Sequence, residues 1–196
     1  MKKITAGLVA VALPLSALAA PETYSFDTDH TYAHFEATHL GYSRLLGRFD
    51  KSTGSFTIDP AAKTASVEIT VQTGSVSTGM SEKGSYKISR DDLLRSPDYF
   101  NAAEFPTMTY KASNVKFTGA FPDRIAGTLT LLGVSKPLTL VVENAKCGPN
   151  PINKKEMCGG NATAALKRSD FGMKTYLPTV IGDDIKLSIE FEGYKK

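Results

Sequence analysis

The chain has 196 residues, of which 41% are hydrophobic and 22% charged, with a formal net charge of +3. That length supports one domain with a sizeable core. The near-balanced charge makes no electrostatic case for nucleic acid or for an anionic membrane.

The first element in chain order is a leader. Met1-Lys2-Lys3 is a short positive start, Ile4 to Leu15 is apolar, and Ala17-Leu18-Ala19 is a small-x-small cleavage signal. The apolar run is shorter than the roughly 20 residues of a membrane span. The expected organisation is therefore a signal peptide over residues 1–19 and one exported domain over 20–196, working in the periplasm. Lys2 and Lys3 leave with the leader, which brings the mature charge closer to neutral.

Beyond the leader, period-two alternation dominates, the signature of half-buried strands. Ala33, Phe35, Ala37 and His39 alternate with polar neighbours, as do Phe56 and Ile58, then Val67, Ile69 and Val71. Met108 and Tyr110 form a further run, Val115 and Phe117 another, then Gly127, Leu129 and Leu131. Leu138, Leu140 and Val142 follow, and Ile185, Leu187, Ile189 and Phe191 close the series. At least eight strands with one apolar and one wet face predict an antiparallel all-β fold, sandwich or barrel. The inner face carries many aromatic rings, and composition by itself favours an interior filled with side chains.

One segment departs from alternation. Ser89-Arg90-Asp91-Asp92 reads as an N-cap with an acid three residues later, followed by Leu93-Leu94 and stopped by Pro97. The spacing predicts a short helix over about Arg90 to Ser96 and a turn over Pro97 to Phe100. Gly74 to Gly84, rich in Ser and Gly, reads as a mobile loop. Cys147 and Cys158 are the only cysteines, and an oxidising compartment favours their pairing across a loop at Gly148 to Met157.

No G-x-S-x-G elbow, phosphate loop, H-E-x-x-H or Cys-x-x-Cys is present. His30, His34 and His39 cluster beside Asp29, but on a strand His34 and His39 point to opposite faces. They read as structural or surface residues rather than as metal ligands or bases. Asp91-Asp92 and Asp183-Asp184 read as capping and turn residues, and Arg44, Arg48 and Arg168 as surface charges or partners for an anionic head group.

Four ordered blocks resemble the exported YceI-like family, also called the polyisoprenoid-binding, lipocalin-like family. The first is Tyr24-Ser25-Phe26-Asp27 with His30-Thr31, Phe35, His39-Leu40 and Gly47-Arg48-Phe49. The second, the most specific, runs from Ser75-Val76-Ser77-Thr78-Gly79 through Arg90-Asp91, Leu94-Arg95-Ser96 and Asp98-Tyr99-Phe100 to Phe105-Pro106. The third is Gly127-Thr128-Leu129-Thr130 with Gly133-Val134 and Lys136-Pro137-Leu138, and the fourth is Arg168-Ser169-Asp170-Phe171-Gly172-Met173. Leu93 stands where family members often carry His, and the interval from Thr78-Gly79 to Arg90-Asp91 is longer than usual.

The resemblance implies an extended eight-stranded antiparallel lipocalin-like barrel with a short helix and a long apolar channel. It implies an isoprenoid lipid as ligand, a polyprenyl phosphate or a ubiquinone, with no catalytic residue, metal or cofactor. It also admits transient membrane contact and a homodimer. Candidate channel positions are Phe35, Leu93, Leu94, Phe100 and Met108, then Tyr110, Leu129, Leu131, Phe171 and Met173. The leading functional reading is a lipid carrier. A lipid- or quinone-modifying enzyme using His30 or His39, and a packed, ligand-free interaction barrel, are the alternatives.

Overall fold

The computed structural model describes residues 20–117 and 119–196; the leader expected over residues 1–19 lies outside them. The described part has eleven strands in one sheet and one α-helix. The strands are β1 (Glu22–Phe26), β2 (Tyr32–His39), β3 (Ser43–Phe49), β4 (Ser52–Asp59), β5 (Thr64–Gln72) and β6 (Val76–Ser77). After the helix α1 (Arg90–Arg95) come β7 (Thr107–Lys116), β8 (Arg124–Leu131), β9 (Val134–Pro149), β10 (Glu156–Lys167) and β11 (Ile181–Lys195).

The eleven segments make eight long strands, because three of those strands are broken in the middle. β1 and β2 both pair with β11, β3 and β4 run back along them, and β5 and β6 continue that pattern. Every neighbour in space is then a neighbour in sequence, and the β1–β11 pairing closes the ring. The fold is an eight-stranded closed antiparallel barrel with a short helix. Closure leaves no long free edge in the lower half.

The three breaks fall side by side, and buried hydroxyls replace the ladder bonds lost there. Thr31 Oγ1 donates to the Glu192 carbonyl and accepts the Glu192 amide. Ser52 Oγ donates to the Thr31 carbonyl at 2.8 Å, and Thr73 Oγ1 to the Phe105 carbonyl at 2.6 Å. The Lys51 amide donates to Ser75 Oγ, while the Asp50 amide reaches the Ser75 carbonyl. Below this belt the wall is continuous sheet. Above it, β10, β11, β2 and β3 rise as one tall wall, and α1 with its flanking coil covers the opposite side.

The Ser- and Gly-rich stretch at residues 74–84 is therefore not simply a loop. Its start is a 3-10 turn (Thr73–Ser75), and Val76, fully buried, pairs with Phe49 across β6 and β3. The helix spans Arg90–Arg95 as the capping signal predicts, with Ser89 Oγ accepting the Asp92 amide and donating to its carboxylate. The two runs around Met108 and Val115 are one strand, β7, bulged at Asn114, whose φ is +53°. Cys147 and Cys158 are register partners on β9 and β10 and form a disulfide. The ladder continues past them to the Pro149–Glu156 pair, so the loop is shorter than the sequence implies.

The interior is hollow, against the composition-based expectation. The reason lies in aromatics laid against glycines, on adjacent strands or, for Phe56 on β4 and Gly193 on β11, across the intervening β1. Phe35 lies against its register partner Gly47, Phe191 against Gly160, and Phe56 against Gly193. Tyr110 crosses Gly127, and its hydroxyl donates to the Ile125 carbonyl at 2.8 Å, near the Leu138 carbonyl at 3.2 Å. Burial pushes the Tyr110 phenol up to about 12, so it stays a donor throughout the physiological range. A ring laid over a glycine contributes apolar surface to the wall without filling the lumen.

A side chain at Gly127 would place its Cβ 2.6 Å from the Tyr110 ring and from the Lys111 carbonyl. Gly127→Val is expected to cost about 1–3 kcal/mol through overpacking. Urea unfolding checks this, with Gly119→Ala, which meets open space, as the near-neutral control.

Candidate functional site

The barrel encloses a cavity of about 710 Å³, within the range of about 300–1,000 Å³ for small-molecule sites. Its floor is formed by Phe26, Phe56, Ile58 and Ala145 beside the disulfide. The middle is lined by Val67, Ile69, Leu129, Leu140 and Ile189. Leu46, Tyr86, Ile88 and Tyr176 line the top and are also exposed, so the cavity reaches the surface at that end.

The mouth is built by two anchored segments. The first runs from β6 to α1. Buried Asp91 accepts both the Thr78 amide (2.8 Å) and the Thr78 hydroxyl (2.6 Å), tying the start of the coil to the helix. Arg95 donates to the Gly74 and Val76 carbonyls and pairs with Asp92. Met80, Tyr86 and Ile88, in the coil between these ties, face the cavity, as do Leu93 and Leu94 on the helix. The second segment follows the 3-10 turn Arg168–Phe171. Arg168 is 3% exposed and donates to the carbonyls of Gly182, Met173, Thr175 and Ile181. Burial holds its pKa below the usual arginine value, yet a guanidinium keeps its charge in proteins. Its five donors fit a loop that presents carbonyls from several directions. It is a buried staple, where the sequence reading allowed a surface charge or a head-group partner.

Phe35, Leu93, Leu94, Phe100 and Met108 all line this cavity, as do Tyr110, Leu129, Leu131 and Met173. Phe171, also a candidate, is not among the lining residues. It is buried in the core, off the cavity wall, and left-handed Gly172 (φ +88°) turns the chain before Met173 reaches the lumen. Sequence reasoning missed Ala162 and Leu166 on β10, Leu45 and Leu46 on β3, and the Tyr86–Ile88 coil. The β10 signal was present as Ala162, Ala164 and Leu166 at period two, muted by small side chains.

The three histidines do not converge. His30 Nδ1 pairs with Asp27 at 2.9 Å on the outer surface, His34 Nε2 meets Glu190 at 3.2 Å, and His39 is the register partner of Ile181 near the mouth. Asp27, His30 and Glu192 place ligand-type atoms within 4.8 Å of one another beside the β1–β2 break. The bond to Asp27 raises the His30 pKa, and the Asp29 amide and His30 together hold Asp27 below its usual value against the cost of burial.

Comparison with known proteins places this architecture. A profile of the YceI-like domain matches residues 24–193. Protein YceI of Escherichia coli (strain UMN026) is 37% identical over 202 residues, covering the whole of both chains. A UPF0312 protein of Pseudomonas aeruginosa (strain LESB58) is 36% identical over 200 residues, again covering both chains fully. Among solved structures, the Campylobacter jejuni YceI protein aligns with a TM-score of 0.60 at 29% identity, over 81% of this chain and 90% of its own. A polyisoprenoid-binding domain from Saccharophagus degradans aligns at 0.63 with 18% identity, over 88% and 98% of the two chains. At that identity it supports the fold alone.

Two outcomes test this geometry. Arg168→Met leaves four carbonyls without their donor and is expected to cost about 3 kcal/mol. Hydrogen exchange should quicken at residues 173–182 far more than in β7 and β8. For His30, the sign follows from a raised folded-state pKa: its pairing stabilises fully below the unfolded value of about 6.5 and is lost as pH rises through the folded value. An NMR titration should place the His30 midpoint above about 6.5, and Asp27→Asn should return it there.

With a family profile over nearly the whole described domain and full-length relatives above one-third identity, the chain belongs to the YceI-like family.

Proposed function

We propose that this protein is a periplasmic carrier for a long-chain isoprenoid lipid, a polyprenyl phosphate or a ubiquinone-like molecule, held in the barrel by its tail. The observation that carries the reading is the apolar cavity, which reaches the surface at its mouth and is lined from floor to mouth mainly by Phe, Leu, Ile, Val and Met side chains. The domain from Saccharophagus degradans, described as polyisoprenoid-binding, has the same fold, so the proposed ligand class is one this architecture can be read to accept. The leader-like start and the disulfide support an oxidising compartment outside the cytoplasm.

Length is compatible with this ligand. The 15 residues of β11 rise about 50 Å, and a strand tilt of about 35–45° leaves roughly 35–40 Å along the axis. An extended tail built of C–C bonds of about 1.5 Å advances roughly 1.3 Å per bond, which accommodates on the order of 30 chain bonds.

Energetics set how such a carrier works. At about 0.8 kcal/mol per buried CH₂, a tail of about 40 carbons would exceed the practical affinity ceiling of about 18–21 kcal/mol. The competitor is not water but the bilayer, which solvates the tail equally well. Exchange between membrane and barrel is therefore close to balanced, and the mouth decides entry and release. The wall does the binding, and no side chain is assigned a chemical step.

Organic extraction of protein purified from the periplasm should yield a prenyl lipid near one equivalent by mass spectrometry. Ala37→Trp, which places a bulky ring in the lumen at a cavity-lining position, should retain the fold by circular dichroism and lose the lipid. Repeated wild-type preparations without any long-tailed lipid would refute the proposal.

A further inference from the structure

The exposed apolar residues are not scattered. Among the described residues, eight large hydrophobic side chains stand exposed; four of them line the cavity at its mouth, and two more, Leu40 and Tyr42, sit on the neighbouring β2–β3 turn. Leu40 and Tyr42 are on the β2–β3 turn, Leu46 on β3, Tyr86 and Ile88 on the coil before α1, and Tyr176 on the Arg168-stapled loop. The segments are contiguous. The Leu40 amide donates to the Val180 carbonyl, and Leu46, Tyr86, Ile88 and Tyr176 share the cavity wall. Tyr42 is 93% exposed, the largest exposure among them. At the opposite end, Ile152 on the β9–β10 turn stands alone.

Cations accompany this rim. Lys83 and Lys87 flank Tyr86, Arg90 begins the helix beside Ile88, and Lys174 precedes Tyr176. Lys87 and Arg90 border the cavity itself. None of the four makes an ion pair among the described residues. A net charge of +3 conceals this local concentration.

We propose that the rim is a membrane-docking surface that seats the cavity mouth on an anionic lipid bilayer. Tyrosine favours the membrane–water interface because its ring is apolar and its hydroxyl wet. Leu40, Leu46 and Ile88 add area that enters the acyl boundary, and unpaired lysines meet anionic head groups. Seated this way, a tail passes from bilayer to barrel without crossing water. A soluble protein partner would not need the opening at the centre of its docking patch, whereas a bilayer that supplies the cargo does. The inference rests on the carrier reading and adds to it where and how the carrier meets its donor.

Because the chain has no tryptophan, one introduced indole is an unambiguous probe. Tyr42→Trp, at an exposed position, is mixed with vesicles of phosphatidylcholine containing one-third phosphatidylglycerol. The expected result is a blue-shifted emission quenched by brominated acyl chains, with Ile152→Trp unshifted. Combined Lys83→Gln, Lys87→Gln and Lys174→Gln should weaken vesicle partitioning by about a hundredfold, on the usual contribution of each cation near an anionic surface. An unshifted Tyr42→Trp, or equal shifts at both ends, would overturn the proposal. So would a shift that depends on protein concentration without vesicles, which would assign the rim to a second copy of the chain. Lipid content of the same preparations separates the two ideas. Retained prenyl lipid with no vesicle insertion removes the docking surface and leaves carriage standing. Insertion without any retained lipid supports the docking surface and removes carriage.

Discussion

The whole arrangement depends on aromatic rings lying against glycines. A closed eight-stranded barrel is small enough for its own side chains to fill it. Phe35 on Gly47, Tyr110 on Gly127, Phe56 on Gly193 and Phe191 on Gly160 keep large rings pressed to the wall instead. Each pair contributes apolar area while leaving the axis free. The Tyr110 hydroxyl secures its ring through bonds across β8, so that ring cannot swing inward without leaving a buried hydroxyl unsatisfied.

The second constraint is the belt of strand breaks at Asp27–Thr31, Asp50–Lys51 and Thr73–Ser75. It divides the molecule into a closed lower barrel and an upper half with one wall of sheet and one wall of helix and coil. Thr31, Ser52 and Thr73, all buried, satisfy the backbone there. The upper half is where the mouth forms, and the buried Asp91 and Arg168 hold its two irregular segments. Both side chains are committed to groups of the protein itself, Arg168 to four carbonyls and Asp91 to the amide and hydroxyl of Thr78. Stability of the opening and its apolar character are thereby assigned to different residues.

Much of this was legible from the residues. Period-two alternation located most of the barrel wall, and Ser89 with Asp92 located the helix. The channel residues predicted on β7 and β8 follow from alternation because β8 keeps one phase throughout and β7 keeps it from Met108 to the bulge at Asn114. Three things were hidden for physical reasons. Composition counts a phenylalanine the same whether it fills a lumen or lies on a glycine, so it pointed to a filled core. The Gly- and Ser-rich stretch around Val76 concealed a strand of two residues, whose ordering comes from long-range pairing with β3 and from Asp91. Phe171 and Met173 share an apparent phase, but Gly172 in the left-handed region breaks it and sends only Met173 to the cavity.

The central claim is that the lumen itself, not the outer surface, holds a lipid tail. Methyl-labelled protein mixed with an unlabelled prenol in detergent tests it directly by NMR. Intermolecular Overhauser contacts from the prenyl chain to methyls of Leu129, Leu140 and Ile189, deep in the cavity, are predicted. Contacts confined to exposed methyls such as Ile152, with the deep methyls silent, would contradict the account.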